Sequence, residues 1–168
     1  MRRMISRSMG VLCAGIALGS IVAARPSPGR RSTPPAPLQV SGQTVYNDVC
    51  AVCHQPSGEG NEEMYPPLAG SEWVNGDAGR MVRIILNGLT GPVEVAGVEY
   101  NSVMPAWGAT LSDAQLAAVA TYVRSAWGNK GSAVSTAEVT AIRAAGRSRT
   151  TPWTVRDLMA ATVTATEK

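Results

Sequence analysis

The chain has 168 residues, room for one small domain with flanking segments, and carries 15 Lys and Arg against 12 Asp and Glu, a net of +3. The positive excess lies at its ends, because residues 40–129 hold three basic residues (Arg80, Arg83, Arg124) against nine acidic ones, a net of −6. Such a segment lacks the clustered cations that neutralise phosphates, which excludes nucleic acid as a partner.

The first residues read as an address. Arg2, Arg3 and Arg7 precede sixteen apolar or small residues, 9–24, that end Val22-Ala23-Ala24, the pattern of a cleaved secretory signal over 1–24. At about 1.5 Å per residue the run spans about 24 Å, short of a hydrocarbon core of about 30 Å. An uncleaved anchor, giving membrane association through the N-terminal segment, is the less favoured alternative. Cys13 lies inside the run and reads as a small hydrophobe. Residues 25–39 contain Pro26, Pro28, Pro34, Pro35 and Pro37 and are expected to form an extended linker.

Ser41 then caps a predicted helix in which Val45, Tyr46, Val49, Cys50 and Cys53 form one apolar stripe. It runs into Cys50-Ala51-Val52-Cys53-His54, the C-x-x-C-H spacing of covalent haem attachment. Two thiols one helical turn apart reach one porphyrin edge, and the adjacent imidazole is a haem-iron ligand. A zinc site would need further soft or nitrogen ligands, and His54 is the only histidine. A thioredoxin-like dithiol would follow a buried strand rather than helical sequence. A local disulfide closes so short a loop that it would stabilise little.

Further along, Asp77 caps a helix predicted over 78–87, with Met81, Ile84 and Ile85 inward and Gly88 at its stop. Val93-Glu94-Val95 and Val98-Glu99-Tyr100 flank Ala96-Gly97 as a short hairpin. Ser112 to Gln115 is a capping box for a helix carrying Leu116, Val119, Ala120, Val123 and Trp127 on one side, ended by Gly128. In the tail, Ser135 to Glu138 caps a helix to about Ala145, and Thr154 to Asp157 starts another. The domain is read as residues 40–129, with a helical C-terminal extension over 130–168 packed on it.

With one histidine, the second axial position falls to a methionine, to a weaker ligand such as lysine or asparagine, or stays open. Met104 is favoured. It precedes Pro105, which stiffens the loop, and lies fifty residues after His54. Met64 follows His54 too closely to pass readily to the opposite face, and Met81 and Met159 read as core filler. An apolar shell is expected from Val49, Leu68, Ile84, Ile85, Val103 and Leu116.

Residues 40–127 resemble the class I c-type cytochromes. The resemblance rests on Gly42 and Tyr46 in the first helix, on Cys50, Cys53 and His54, on Pro66-Pro67-Leu68-Ala69-Gly70, on Met104-Pro105-Ala106-Trp107, and on Tyr122. It implies a mainly α fold, with helices wrapped round one covalent haem c and a hairpin before the methionine loop. It also implies that the Pro66 carbonyl accepts the His54 Nδ1 proton, and that Gly42 and Tyr122 meet at a helix crossing. The cofactor-binding residues are then Cys50, Cys53, His54, Pro66, Leu68 and Met104, with His54 and Met104 on the iron.

Narrower features, Gly58-Glu59-Gly60 among them, are similar to haem domains serving bacterial quinoprotein dehydrogenases, copper nitrite reductases and haem-copper oxidases. The expected function is one-electron transfer in the periplasm between a donor dehydrogenase or respiratory complex and an acceptor reductase or oxidase, with no substrate chemistry. Acidic charge around the haem edge would steer a basic partner surface, unless docking uses a small apolar patch. A haem-based ligand sensor, or a small peroxidase with a displaceable methionine, is the alternative.

Overall fold

The computed structural model describes residues 40–61 and 64–166, so the signal and linker readings lie outside the described residues. The N-terminal helical stretch is not uniform. It comprises α1 (Gly42–Val45), a π-helical turn (Tyr46–Cys50) and α2 (Ala51–His54). Ser41 caps it by accepting from Thr44 N–H. Within the π turn the Ala51 N–H reaches back to the Tyr46 carbonyl, so the helix is widened by one residue just before Cys50.

Next come α3 (Glu72–Asn75), α4 (Ala78–Asn87), the strands β1 (Val93–Val95) and β2 (Val98–Tyr100), and α5 (Asp113–Ser125), α6 (Thr136–Ala145) and α7 (Val155–Thr166). The chain is mainly helical with one two-stranded antiparallel hairpin, paired Val93 with Tyr100 and Val95 with Val98. Asp77 caps α4, and Gly88 ends it with φ +83°. Reciprocal capping boxes start α5 (Ser112 with Gln115) and α6 (Ser135 with Glu138).

Three expectations need correction. α5 ends at Ser125, and Trp127 lies beyond it with φ +51°, where its ring meets Tyr46 at 4.9 Å and Tyr122 at 5.5 Å between centroids. Met159 is 42% exposed rather than core, because it sits on the outer side of α7 facing Arg80, whose Nη1 lies 3.7 Å from its sulfur. Val103 is 62% exposed. Met104 is bridged to Leu89 in extended pairing, so its neighbour in sequence faces the other way.

The main core joins Val45 and Tyr46 to α4, α5 and α6 through Val82, Leu86, Leu116, Val119, Val123 and Val139. At the crossing of α1 and α5, a Cβ on Gly42 would stand 2.1 Å from the Ala118 carbonyl oxygen and 2.8 Å from Tyr122 Cβ. Only hydrogen fits there. Arg124 is buried at the end of α5, where its guanidinium donates to the Val74, Gly76 and Ser132 carbonyls. Such satisfaction is what a buried charge requires.

The extension is tied to this core through α6. Arg143 pairs with Asp113 at 2.6 Å and donates to the Gly108 and Leu111 carbonyls. The Thr140 hydroxyl donates to the other oxygen of Asp113. Those hydrogen bonds, that of Thr140 first and that of Arg143 second, hold the Asp113 carboxyl below its ordinary range.

Two measurements follow. Gly42→Ala should destabilise the haem-loaded protein by about 1–3 kcal/mol through overpacking, read as a lower urea midpoint; an unchanged midpoint would mean that the helices separate freely. Because the folded pKa of Asp113 is depressed, its contribution is complete above about pH 4 and is lost as pH falls through the lower folded value. The stability difference between the native protein and Asp113→Asn should therefore be constant at neutral pH and shrink on acidification; a difference independent of pH would remove the carboxylate's role.

Candidate haem site

His54 ends α2 and is buried. Its Nδ1 lies 3.0 Å from the Pro66 carbonyl oxygen. A carbonyl only accepts, so Nδ1 carries the proton and Nε2 keeps its lone pair. Burial holds the imidazole pKa below its ordinary value, with the Pro66 contact opposing. Burial, then the neighbouring Cys53, pushes the Cys50 thiol up to about 11. That is the reverse of the lowered pKa of a redox-active dithiol.

The Pro66 carbonyl is held in place from several sides. Gly60 N–H donates to the His54 carbonyl at 3.0 Å, and Leu68 and Ala69 N–H both donate to the Gly58 carbonyl at 2.7 and 2.9 Å. Buried Asn129 donates to the Leu68 and Val123 carbonyls and accepts from Gly70 N–H and from Asn75. One amide thus fastens the Pro66–Gly70 loop to the end of α5. Sequence reasoning missed Asn129, since a residue just after a helix-stop glycine gives no local sign of a long-range role.

Between this wall and the Met104 loop are two adjoining apolar cavities, the kind of lining that cofactor sites use. Cys50, His54, Pro66 and Met104 line both. Leu68 lines the first only, with Ile84 and Ile85, whereas Cys53 and Val49 line the second only. Met81 is core as expected and also faces the first cavity. Leu116 is buried behind these walls, and Val103 stands at the rim of the second cavity. Met64 borders the second cavity alone.

The donor set fits a haem: two thiols and a buried imidazole with a free Nε2 on one side, a thioether on another segment, and apolar walls between. It does not fit zinc. Among the described residues no three His, Cys, Asp or Glu side chains cluster as metal ligands.

Comparison with known proteins agrees. Residues 37–123 match the family described as cytochrome c oxidase, cbb3-type, subunit III. The chain is 40% identical over 95 residues to cytochrome c-552 of Thermus thermophilus, covering 54% of this chain and 71% of that protein. It is 37% identical over 103 residues to the gluconate 2-dehydrogenase cytochrome c subunit of Pantoea cypripedii, covering 58% of this chain and 22% of that one. It is 36% identical over 107 residues to the cbb3-type cytochrome c oxidase subunit CcoP of Azospirillum brasilense, covering 60% of this chain and 32% of that one. The chain belongs to this family of c-type cytochrome domains, of the class I kind. Its cofactor is accordingly covalently bound haem c.

Gly60 tests the architecture of the His54 wall. It has φ +68°, and an added Cβ would lie 2.2 Å from the Tyr65 carbonyl oxygen and 2.7 Å from that of Pro66. Gly70 has φ +70° with nothing within 4 Å of such a Cβ. Gly70→Ala should therefore cost about 1–2 kcal/mol of backbone strain alone, and Gly60→Ala should cost more and lower the fraction of chains carrying haem. Equal losses in the two variants would show that the Pro66 carbonyl tolerates displacement.

Proposed function

We propose that the protein is a one-electron carrier in which Cys50 and Cys53 hold the porphyrin by thioether bonds and His54 Nε2 and Met104 Sδ are the axial ligands of one iron. The observation that carries this reading is that His54 and Met104, fifty residues apart in sequence, line both of the same two cavities. Met64 borders one cavity and is the weaker candidate. The haem supplies an iron that changes by one electron.

What the chain does is hold that iron. The Pro66 carbonyl fixes the His54 ring and tautomer. The Leu89 backbone pairs with that of Met104 at 2.9 and 3.1 Å, steadying the methionine. Leu68, Ile84 and Ile85 limit water, and with the thioether ligand this favours the reduced state. Peroxidase chemistry would need an acid–base group beside an open iron position. The Met104 thioether, which lines both cavities with His54, would close that position, and this supports the carrier.

The proposed setting is the periplasm, with residues 1–24 as export signal and 25–39 as linker, the haem domain over 40–129 and the extension over 130–168. No helix among the described residues is long and apolar enough to cross a membrane. The partners are redox proteins: a donor dehydrogenase or respiratory complex, and an acceptor nitrite reductase or terminal oxidase. The relatives named as dehydrogenase and oxidase subunits support that choice. Val52, 77% exposed between the two cysteines, and the acidic balance of residues 40–129 offer an apolar contact within a negative field.

Met104→Ala should abolish the long-wavelength iron–sulfur charge-transfer band of the oxidised protein and lower its reduction potential, while the haem stays covalently attached. Retention of the band would transfer the axial role to Met64, which Met64→Ala would then reveal.

A further inference from the structure

The family match ends at residue 123, yet a segment well beyond it is built into the Met104 loop. Leu89 exchanges both of its backbone hydrogen bonds with Met104. On the opposite edge, Thr90 N–H donates to the Trp153 carbonyl at 2.8 Å and Trp153 N–H donates to the Gly88 carbonyl at 3.0 Å. Residues 88–90 are thus a central rung, with Met104 antiparallel on one side and Trp153 parallel on the other. There is no slack at its start. A Cβ on Gly88 would stand 2.5 Å from the Met104 carbonyl oxygen.

Trp153 is itself held. The Arg149 guanidinium lies 3.6 Å from its ring centroid and donates to the Thr151 and Pro152 carbonyls and to Asp157, each at 2.9–3.0 Å. On α7, Leu158 is fully buried in a cluster with Leu89, Val93 and Tyr100, against which Met104 packs. Backbone pairing, a cation stacked on an indole and a buried leucine therefore converge on the strand that holds Met104.

We propose that the C-terminal extension is a brace for the Met104 loop, in which Trp153, Arg149 and Leu158 are positioning residues that keep the methionine sulfur on the iron. This rests on the reading of Met104 as axial ligand. An exogenous ligand such as imidazole binds only when the methionine is off, so its apparent affinity scales with the population of that open state. Loosening the brace raises that population without touching the haem, its thioether bonds or His54.

The test is imidazole titration of the oxidised, haem-loaded, full-length protein, followed by absorbance. Trp153→Ala should tighten imidazole binding by about tenfold or more and weaken the iron–sulfur band, and Trp153→Phe should restore both. Arg149→Gln removes the stacked cation but no apolar side chain and should shift both in the same direction, so it decides the matter if Trp153→Ala does not accumulate. Val139→Ala, buried on α6 and lining neither cavity, should lower the melting temperature and leave imidazole affinity unchanged. Native affinity in both brace variants, or an equal gain in Val139→Ala, would overturn the brace. Met104→Ala separates the two claims: with its band abolished, unchanged brace variants refute the brace alone, whereas a band retained there refutes the axial reading and the brace with it.

Discussion

The hydrogen bond from His54 Nδ1 to the Pro66 carbonyl is the contact on which the site depends. It decides which ring nitrogen is free, leaving Nε2 with its lone pair as the nitrogen that would bind an iron in the proposed site. Its geometry is fixed by backbone rather than by side-chain packing. Gly58 and Gly60 let two loops approach closely, and Asn129 anchors the far end of the Pro66 loop to α5. α5 in turn is seated on α1 at a crossing with room only for Gly42. Helix crossing, loop and imidazole are thus linked by a continuous set of close contacts.

The features legible in the sequence are those with local causes. A side-chain cap and a stop glycine set α4, capping boxes set the starts of α5 and α6, and the two-residue turn at Ala96-Gly97 set the hairpin. Cys50 and His54 were legible from the C-x-x-C-H spacing, Met104 from the lack of a second histidine, and Pro66 from the family resemblance; all four line the same two cavities. The rest depends on contacts between distant residues. The π turn over Tyr46–Cys50 and the four-residue α3 are too short for periodicity to register. The burial of Arg124 among carbonyls and the fourfold bonding of Asn129 exist only once the chain has folded. Val103 was misplaced for a related reason: apolar character does not reveal facing in a segment whose pairing partner, Leu89, is remote.

The same distinction explains how the extension relates to the cytochrome. Its helices announce themselves locally, but their partners do not. α6 is latched by Arg143 to the first turn of α5, and residues 149–158 reach back to the strand beside Met104. A segment outside the family match is therefore part of the structural surroundings of Leu89 and Met104 rather than an appendage. The His54 wall is held by the core, and the strand that pairs with Met104 is held on its other edge by the extension.

The central claim is an iron closed by two protein ligands and used only to carry an electron. It is tested most directly by exposing the reduced, full-length haem protein to carbon monoxide at neutral pH. A closed site should show no rapid, stoichiometric binding. Prompt formation of one carbon monoxide complex per haem would contradict the account and point instead to an open iron that senses or reacts.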